Sequence, residues 1–146
     1  MKLTLAGPED AAPISQFYQT IHDDTFSHQE MFSASTVEQL LADGELAVVV
    51  ASDNRRIVGC GLGFPQLWNQ SLELGALSVD NIENRGKIGK ALFEALRRLG
   101  MKHYGLVVFR AQSESAFKRS RNIGAMCWGY WPKPGSRQLS EAELIM

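Results

Sequence analysis

The segment Glu73–Ala95, ELGALSVDNIENRGKIGKALFEA, limits what this chain can fold into more than any other stretch. Leu72 to Val79 is an apolar run with one carboxylate, Glu73, near its start and polar residues on either side, the pattern of a buried strand. From Gly89 to Leu99, the residues Ala91, Leu92, Ala95, Leu96 and Leu99 recur at helical spacing. The loop between holds Asn84, Arg85, Gly86, Lys87 and Gly89. A strand that passes through a basic, glycine-containing loop into a helix directs free backbone N–H groups and a positive dipole end at one point. The fitting visitor is an anion, above all a phosphate.

Spacing narrows the choice. A dinucleotide fingerprint needs G-x-G-x-x-G and a P-loop needs G-x-x-x-x-G-K-[ST]. Gly86 and Gly89 give only G-x-x-G, and Lys87 and Lys90 are followed by Ile88 and Ala91. The segment resembles instead the cofactor motif of the GNAT N-acetyltransferase superfamily: a strand ending in valine, then Arg-Gly-x-Gly-x-Gly, then a helix opening x-Ala-Leu. Val79, Gly89, Ala91 and Leu92 fall on those positions without a gap. In that register the motif's Arg-Gly pair lands on Asn84 and Arg85 and its middle glycine on Lys87, while Arg85-Gly86 stands one residue late. Two accommodations stay open. Lys87 supplies charge where a glycine would allow positive φ and close approach, or the loop shifts by a residue so that Arg85-Gly86 takes the usual role.

The resemblance implies that the loop from Asn84 to Lys90, Ile88 included, holds the pyrophosphate of an acyl-coenzyme A, most simply acetyl-CoA. It also implies that backbone N–H groups of Leu77, Ser78 and Val79 hydrogen-bond the pantetheine and the thioester, on a strand splayed from its neighbour. Glu73 stands at the distance from Val79 of the glutamate that serves part of the family as general base, often through water. A carboxylate desolvated in an apolar strand is suited to taking a proton near neutrality. Its plainer alternatives are a solvent-facing residue or a partner for Arg55 or Arg110.

At 146 residues, with 45% hydrophobic and 21% charged residues, the chain suits one domain with an ordinary core, residues 1–146. A formal net charge of −1 gives no field to draw nucleic acid or an anionic membrane. No apolar run reaches the length of a membrane span, and the N-terminus lacks a signal-peptide pattern. Cys60 and Cys127 sit in apparent strands without metal-ligand spacing, so two buried thiols in a reducing cytoplasm are expected, and no metal.

Along the chain, Lys2 to Ala6 reads as a half-exposed strand and Gly7-Pro8-Glu9-Asp10 as a turn into a helix with apolar face Ile14, Phe17, Tyr18 and Ile21. His22 to Met31 is irregular. A second helix, capped by Ser35 or Thr36, carries Val37, Leu40 and Leu41 and ends at Asp43-Gly44. Leu46–Ala51 and Ile57–Phe64 are strands about a tight turn at Asp53–Arg56. Gly59, Gly61 and Gly63 strip one strand face, either for close packing against a helix or to leave room for a ligand. After a loop from Pro65 to Ser71 come the Leu72 strand, the helix to Tyr104, a strand over Leu106–Ala111, a polar helix from Ser113 to about Ile123, and a last strand over Ala125–Trp131. This order predicts an α/β (α+β) fold: a mixed central sheet, antiparallel at first, with a parallel step after the key strand and helices on both faces. The GNAT fold has the same order.

Family members often carry Asn, Ala and Tyr ahead of a glycine on the penultimate helix, the Tyr acting as general acid. Counted back from Gly124, those positions hold Ser113, Ala116 and Ser120. Ser120 could hydrogen-bond a leaving thiolate, but its hydroxyl is a far weaker acid than a phenol. His22 and His28 border the place where the family binds its acceptor, and either could bind substrate or assist proton removal. Trp68 and Asn69 could line the same pocket. Lys118, Arg119 and Arg121 suit the 3′-phosphate of CoA or, more plainly, a solvated helix face.

Together these features point to acetyl transfer from acetyl-CoA to a primary amine, on a small molecule or a peptide, by direct attack in a ternary complex, with Glu73 as base. A homodimer is compatible with this. Two alternatives stand beside it. One is a GNAT-like CoA-binding or sensor module with little or no turnover. The other is an unrelated phosphate-binding α/β protein, which would require a purely parallel sheet.

Overall fold

The computed structural model describes residues 1–80, 83–111 and 114–127. Residues 1–109 form one compact unit and residues 110–146 another. The first holds a five-stranded sheet in chain order: β1 (Lys2–Leu5), β2 (Ala47–Asp53), β3 (Arg56–Gln66), β4 (Ser71–Val79) and β5 (Val107–Val108). The first four strands run antiparallel and β5 joins β4 in parallel. Short turns force the antiparallel steps from β2 to β3 and from β3 to β4, and the helical crossover forces the parallel one. The all-parallel sheet of the phosphate-binding alternative is thereby overturned.

Helices cover both faces. On one face Ile14, Phe17 and Tyr18 of α1 (Ala11–Ile21) and Val37 of α2 (Ala34–Ala42) close over Val48, Val50, Cys60 and Leu62. On the other, Ile88, Leu92 and Leu96 of α3 (Arg85–His103) close over Val49, Val58, Leu72 and Leu74. Consecutive valines of β2 thus serve opposite cores, as a period of two requires.

The glycine stripe has a packing cause. A Cβ at Gly59 would sit 3.0 Å from Ile88 Cγ2, and one at Gly61 would sit 2.8 Å from Leu96 Cδ1. α3 fills the stripped face, so its glycines set the helix-to-sheet distance and leave no room there for a ligand.

Several boundaries differ from expectation for physical reasons. Asn54 (φ 47°) and Arg55 (φ 66°) form the primed turn that suits strand twist, which lets β2 and β3 extend to Asp53 and Arg56. β3 runs on to Gln66 and β4 begins at Ser71, leaving residues 67–70 as the loop. The α2 cap is Ser33, whose Oγ accepts from the Thr36 N–H at 3.4 Å, in place of the expected Ser35 or Thr36. β1 is exposed along its length, and β5 is two residues long.

In the second unit, α4 (Glu114–Asn122) pairs Lys118 with Glu114 at 3.1 Å and ends at Gly124 (φ 86°). Ala125–Cys127 is not a strand and Cys127 is exposed, correcting the expectation of a buried strand thiol. The rest of that expected strand, 128–131, lies outside the described residues, as does Ser113. Among the described residues no helix is long and apolar enough to cross a membrane, and no cluster of residues could hold a metal ion.

Candidate active site

β4 organises the site through an irregularity. Gly61 pairs with Leu77 and Gly63 with Leu74, so two steps on β3 match three on β4. The extra residue is a bulge, and it inverts the inside–outside phase of the strand. Glu73 pairs with Phe64 and Ser78 with Cys60, and both β3 residues face α1. Glu73 and Ser78, an odd number of residues apart, therefore share the α1 face.

The other edge of β4 opens over the same stretch. β5 pairs only with Leu72 and Glu73, and among the described residues no strand continues that ladder. The Asp80 N–H donates to Val58 O of β3 at 2.9 Å. Counting back, Ser78 N–H also turns to β3, while Leu77 and Val79 N–H turn to the open edge. Of the three expected backbone donors, two are thus available and Ser78 is not.

The segment expected to bind an anion is helical earlier than the sequence suggested. α3 begins at Arg85, so Arg85 to Lys90 form its opening turns and are not loop. The first-turn N–H groups of Arg85, Gly86 and Lys87 have no helical acceptor. Ile88 N–H is spent on Asn84 O at 2.9 Å and its side chain is buried, so Ile88 packs and does not donate. Gly89 and Lys90 N–H fall likewise within the helical ladder. Arg85, Lys87 and Lys90 are exposed. No positive φ is found at Gly86, Lys87 or Gly89, so a lysine at 87 carries no backbone strain. A Cβ at Gly86 or Gly89 would meet nothing within 4 Å. Neither packing nor conformation asks for glycine there, though glycine disfavours a helix by about 1 kcal/mol relative to alanine.

On the α1 face an aromatic stack joins three elements. His22, at the end of α1, lies on Phe26 with ring centroids 4.0 Å apart. Phe26 also stacks on Tyr18 at 5.5 Å and meets His28 edge-on at 5.5 Å, and His28 lies on Phe64 at 5.1 Å. His22 Nε2 is 2.9 Å from Ser78 Oγ. Burial lowers the His22 pKa below its ordinary value, opposed by the charge of Asp23, so the imidazole is neutral at neutral pH. Tyr18, fully buried, has Ser78 as its polar neighbour, yet its hydroxyl finds no hydrogen-bond geometry with any described residue. Burial holds this phenol and the Cys60 thiol protonated.

Glu73 is half-buried and accepts from Gln66 Nε2 at 3.3 Å. His28 Nδ1 lies 3.5 Å from Glu30 Oε1. Trp68 is 83% exposed at the β3–β4 hairpin end, and Asn69 Oδ1 accepts from Ser71 Oγ at 2.7 Å, so neither joins the stack. Ser120 is on α4 of the second unit. Sequence reasoning missed Tyr18, Phe26 and Phe64 as neighbours of the histidines. The four-residue steps Tyr18, His22, Phe26 carried a signal for that grouping.

No protein-family model matches the chain, and no curated protein matches its sequence. Solved structures do match its fold. A probable acetyltransferase aligns at TM-score 0.70 and 16% identity, over 94% of this chain and 100% of the other. The ribosomal-protein-alanine N-acetyltransferase of Brucella melitensis aligns at TM-score 0.58 and 20% identity, over 92% and 99%. An aminoglycoside acetyltransferase from an uncultured soil metagenomic sample, in complex with sisomicin, aligns at TM-score 0.66 and 19% identity, over 95% and 96%. At these identities the likeness is one of fold.

Proposed function

From the fold that it shares with the GNAT acetyltransferases, we propose that this chain transfers an acetyl group from acetyl-CoA to a primary amine by direct attack in a ternary complex. One observation carries the proposal. A backbone edge that no described strand pairs at Leu77 and Val79 lies one short connection ahead of a helix N-terminus where a Cβ at either glycine would meet nothing within 4 Å. Such an edge suits a thioester and an amide-bearing arm, and such a terminus suits a pyrophosphate.

In this arrangement the Arg85, Gly86 and Lys87 N–H groups take the pyrophosphate, with charge from Arg85, Lys87 and Lys90. The absence of a cradling loop glycine at 87 is answered by the helix start, since first-turn donors need no positive φ. Leu77 N–H faces the thioester oxygen as its charge develops, and Val79 N–H holds the pantetheine. Glu73, on the α1 face, removes a proton from the incoming ammonium, through water. Asp23, Asp24 and Glu30, in the segment that carries both histidines, suit a cationic acceptor. Two of the similar structures bear names that specify acceptors, a ribosomal-protein alanine and an aminoglycoside. The proposed compartment is the cytoplasm.

The test is thermal unfolding with and without saturating acetyl-CoA. A ligand at about a hundred times its Kd stabilises by about 2.7 kcal/mol, a Tm rise of about 9 °C for a chain of this size. A rise followed by amine-dependent thiol release supports transfer. A rise without thiol release for any amine leaves a CoA-binding module, and no rise in a cooperatively melting protein overturns cofactor binding.

A further inference from the structure

We propose that His22, anchored through Nε2 on Ser78 Oγ, takes the proton that the attacking nitrogen loses as the C–N bond forms and returns it to the departing sulfur. The inference rests on the acyl-transfer reading above and adds a residue to it. Ser78 lies between Leu77 and Val79, the residues whose N–H groups face the open edge, so the imidazole is anchored within one residue of the proposed thioester. Glu73 lies opposite Phe64 and Leu77 opposite Gly61, three steps of β3 or about 10 Å apart. It can meet the ammonium on entry but stands far from the sulfur.

The working tautomer is the one in which Nε2 carries the proton. With Nε2–H donating to Ser78 Oγ, the Ser78 hydroxyl proton is left for another acceptor. Nδ1 then keeps its lone pair, and no described residue hydrogen-bonds it. The stack on Phe26 holds the ring plane. Of the titratable groups at the ring, Tyr18 on α1, stacked at 5.8 Å, is kept protonated by burial, and Asp23 on the adjoining segment acts by its charge.

The proton count closes. The ammonium gives its first proton to Glu73 and attacks the thioester carbon as a neutral amine. A C–N bond forms and the carbonyl π pair moves to oxygen. The nitrogen, now positive, gives its second proton to His22 Nδ1. The oxygen pair re-forms C=O, the C–S bond breaks with its electrons on sulfur, and the imidazolium protonates that thiolate. Amide and thiol leave, His22 is neutral again, and the proton on Glu73 passes to water. The step needs no phenol on α4, where Ser120 stands.

The test compares wild type, His22→Gln, His22→Ala and Ser78→Ala in amine-dependent thiol release from about pH 5 to about pH 8. In wild type kcat/KM falls as pH drops through a pKa below 6.5, the ordinary value, because protonated His22 cannot accept. Expected for His22→Gln are a kcat loss of about 100-fold, an acetyl-CoA KM within about twofold, and disappearance of that acid limb. Imidazole added to His22→Ala restores turnover, which a merely structural role would not allow. His22→Gln with kcat within about threefold of wild type and the limb in place overturns the assignment while leaving acyl transfer standing. Should the His22 variants fail to fold, Ser78→Ala decides. A kcat loss of about tenfold with unchanged melting supports the anchor, and unchanged kcat overturns it. Wild type that binds acetyl-CoA yet releases thiol with no amine overturns the acyl-transfer reading itself, and this inference with it.

Discussion

The two faces of the sheet take side chains from the same strands and do opposite things with them. Toward α3, the glycines of β3 let Ile88, Leu92 and Leu96 approach until an added Cβ would collide with them. The buried cluster there, Val49, Ala51, Val58, Leu72, Leu74, Ile88, Leu92 and Leu96, is apolar, and what it gains is close packing. Toward α1, the same strands present Ser78, Glu73 and Cys60 beneath Tyr18, His22 and Phe26, and one buried hydroxyl is left without a partner. A buried hydroxyl without a partner among the described residues costs stability, and on the proposed function this is the face that receives the acceptor. The lesson is that stability and chemistry are divided by the plane of the sheet.

Breaking the apolar face should give the largest effect. Leu92 is fully buried, and Leu92→Ala should destabilise by about 3 kcal/mol in urea unfolding, the transfer loss plus an unfilled cavity. A loss under about 1 kcal/mol would mean that α3 packs loosely and that the glycine stripe is not a packing device. On the polar face the order reverses. Glu73→Gln should lower turnover by about 100-fold while moving stability by less than about 1 kcal/mol, and unchanged turnover would remove Glu73 from the mechanism.

Gly89→Ala probes the boundary between the two behaviours. The added methyl meets no atom within 4 Å and favours the helix, so stability should rise by about 0.5–1 kcal/mol. If a pyrophosphate approaches there, the acetyl-CoA KM should rise about tenfold in the same variant. A gain in stability with unchanged KM would separate the open glycine from cofactor binding.

Much of this division was legible in the sequence. The Asp53–Arg56 turn, the glycine stripe, the strand ending at Val79 and the apolar side of α3 each follow from local pattern. The helix start was misplaced because a glycine reads as loop whether it serves conformation or clearance, and only the φ angles at Gly86 and Gly89 distinguish the two. The decisive feature was illegible. Strict alternation puts Glu73 and Ser78 on opposite faces, and nothing in Leu74-Gly75-Ala76-Leu77 announces that a residue is extra. The bulge shows itself only against the register of β3. His22 was visible as a histidine in an irregular segment, but its bond to Ser78 spans 56 residues and depends on that bulge.

The smallest expected effect tests whether the polar face is as unsatisfied as its geometry indicates. Tyr18→Phe removes one buried oxygen and little else. Deleting a hydroxyl that is desolvated without a hydrogen bond should leave stability unchanged or raise it by up to about 1 kcal/mol near neutral pH. A loss of more than about 1 kcal/mol would show that Ser78 pairs with it in solution. The alkaline limb supplies a second reading with a definite sign. Burial raises the Tyr18 pKa well above its ordinary 10.0, so above that pH the unfolded chain releases a proton that the folded chain keeps. The unfolded state then binds fewer protons, and stability falls as pH rises, by about 1.4 kcal/mol per pH unit for each such group. Cys60, also raised by burial, contributes the same slope to both proteins. The difference between the wild-type and Tyr18→Phe curves above about pH 10 therefore isolates the phenol. Parallel curves would mean that the hydroxyl reaches water, and the polar face would then be wet before any ligand arrives.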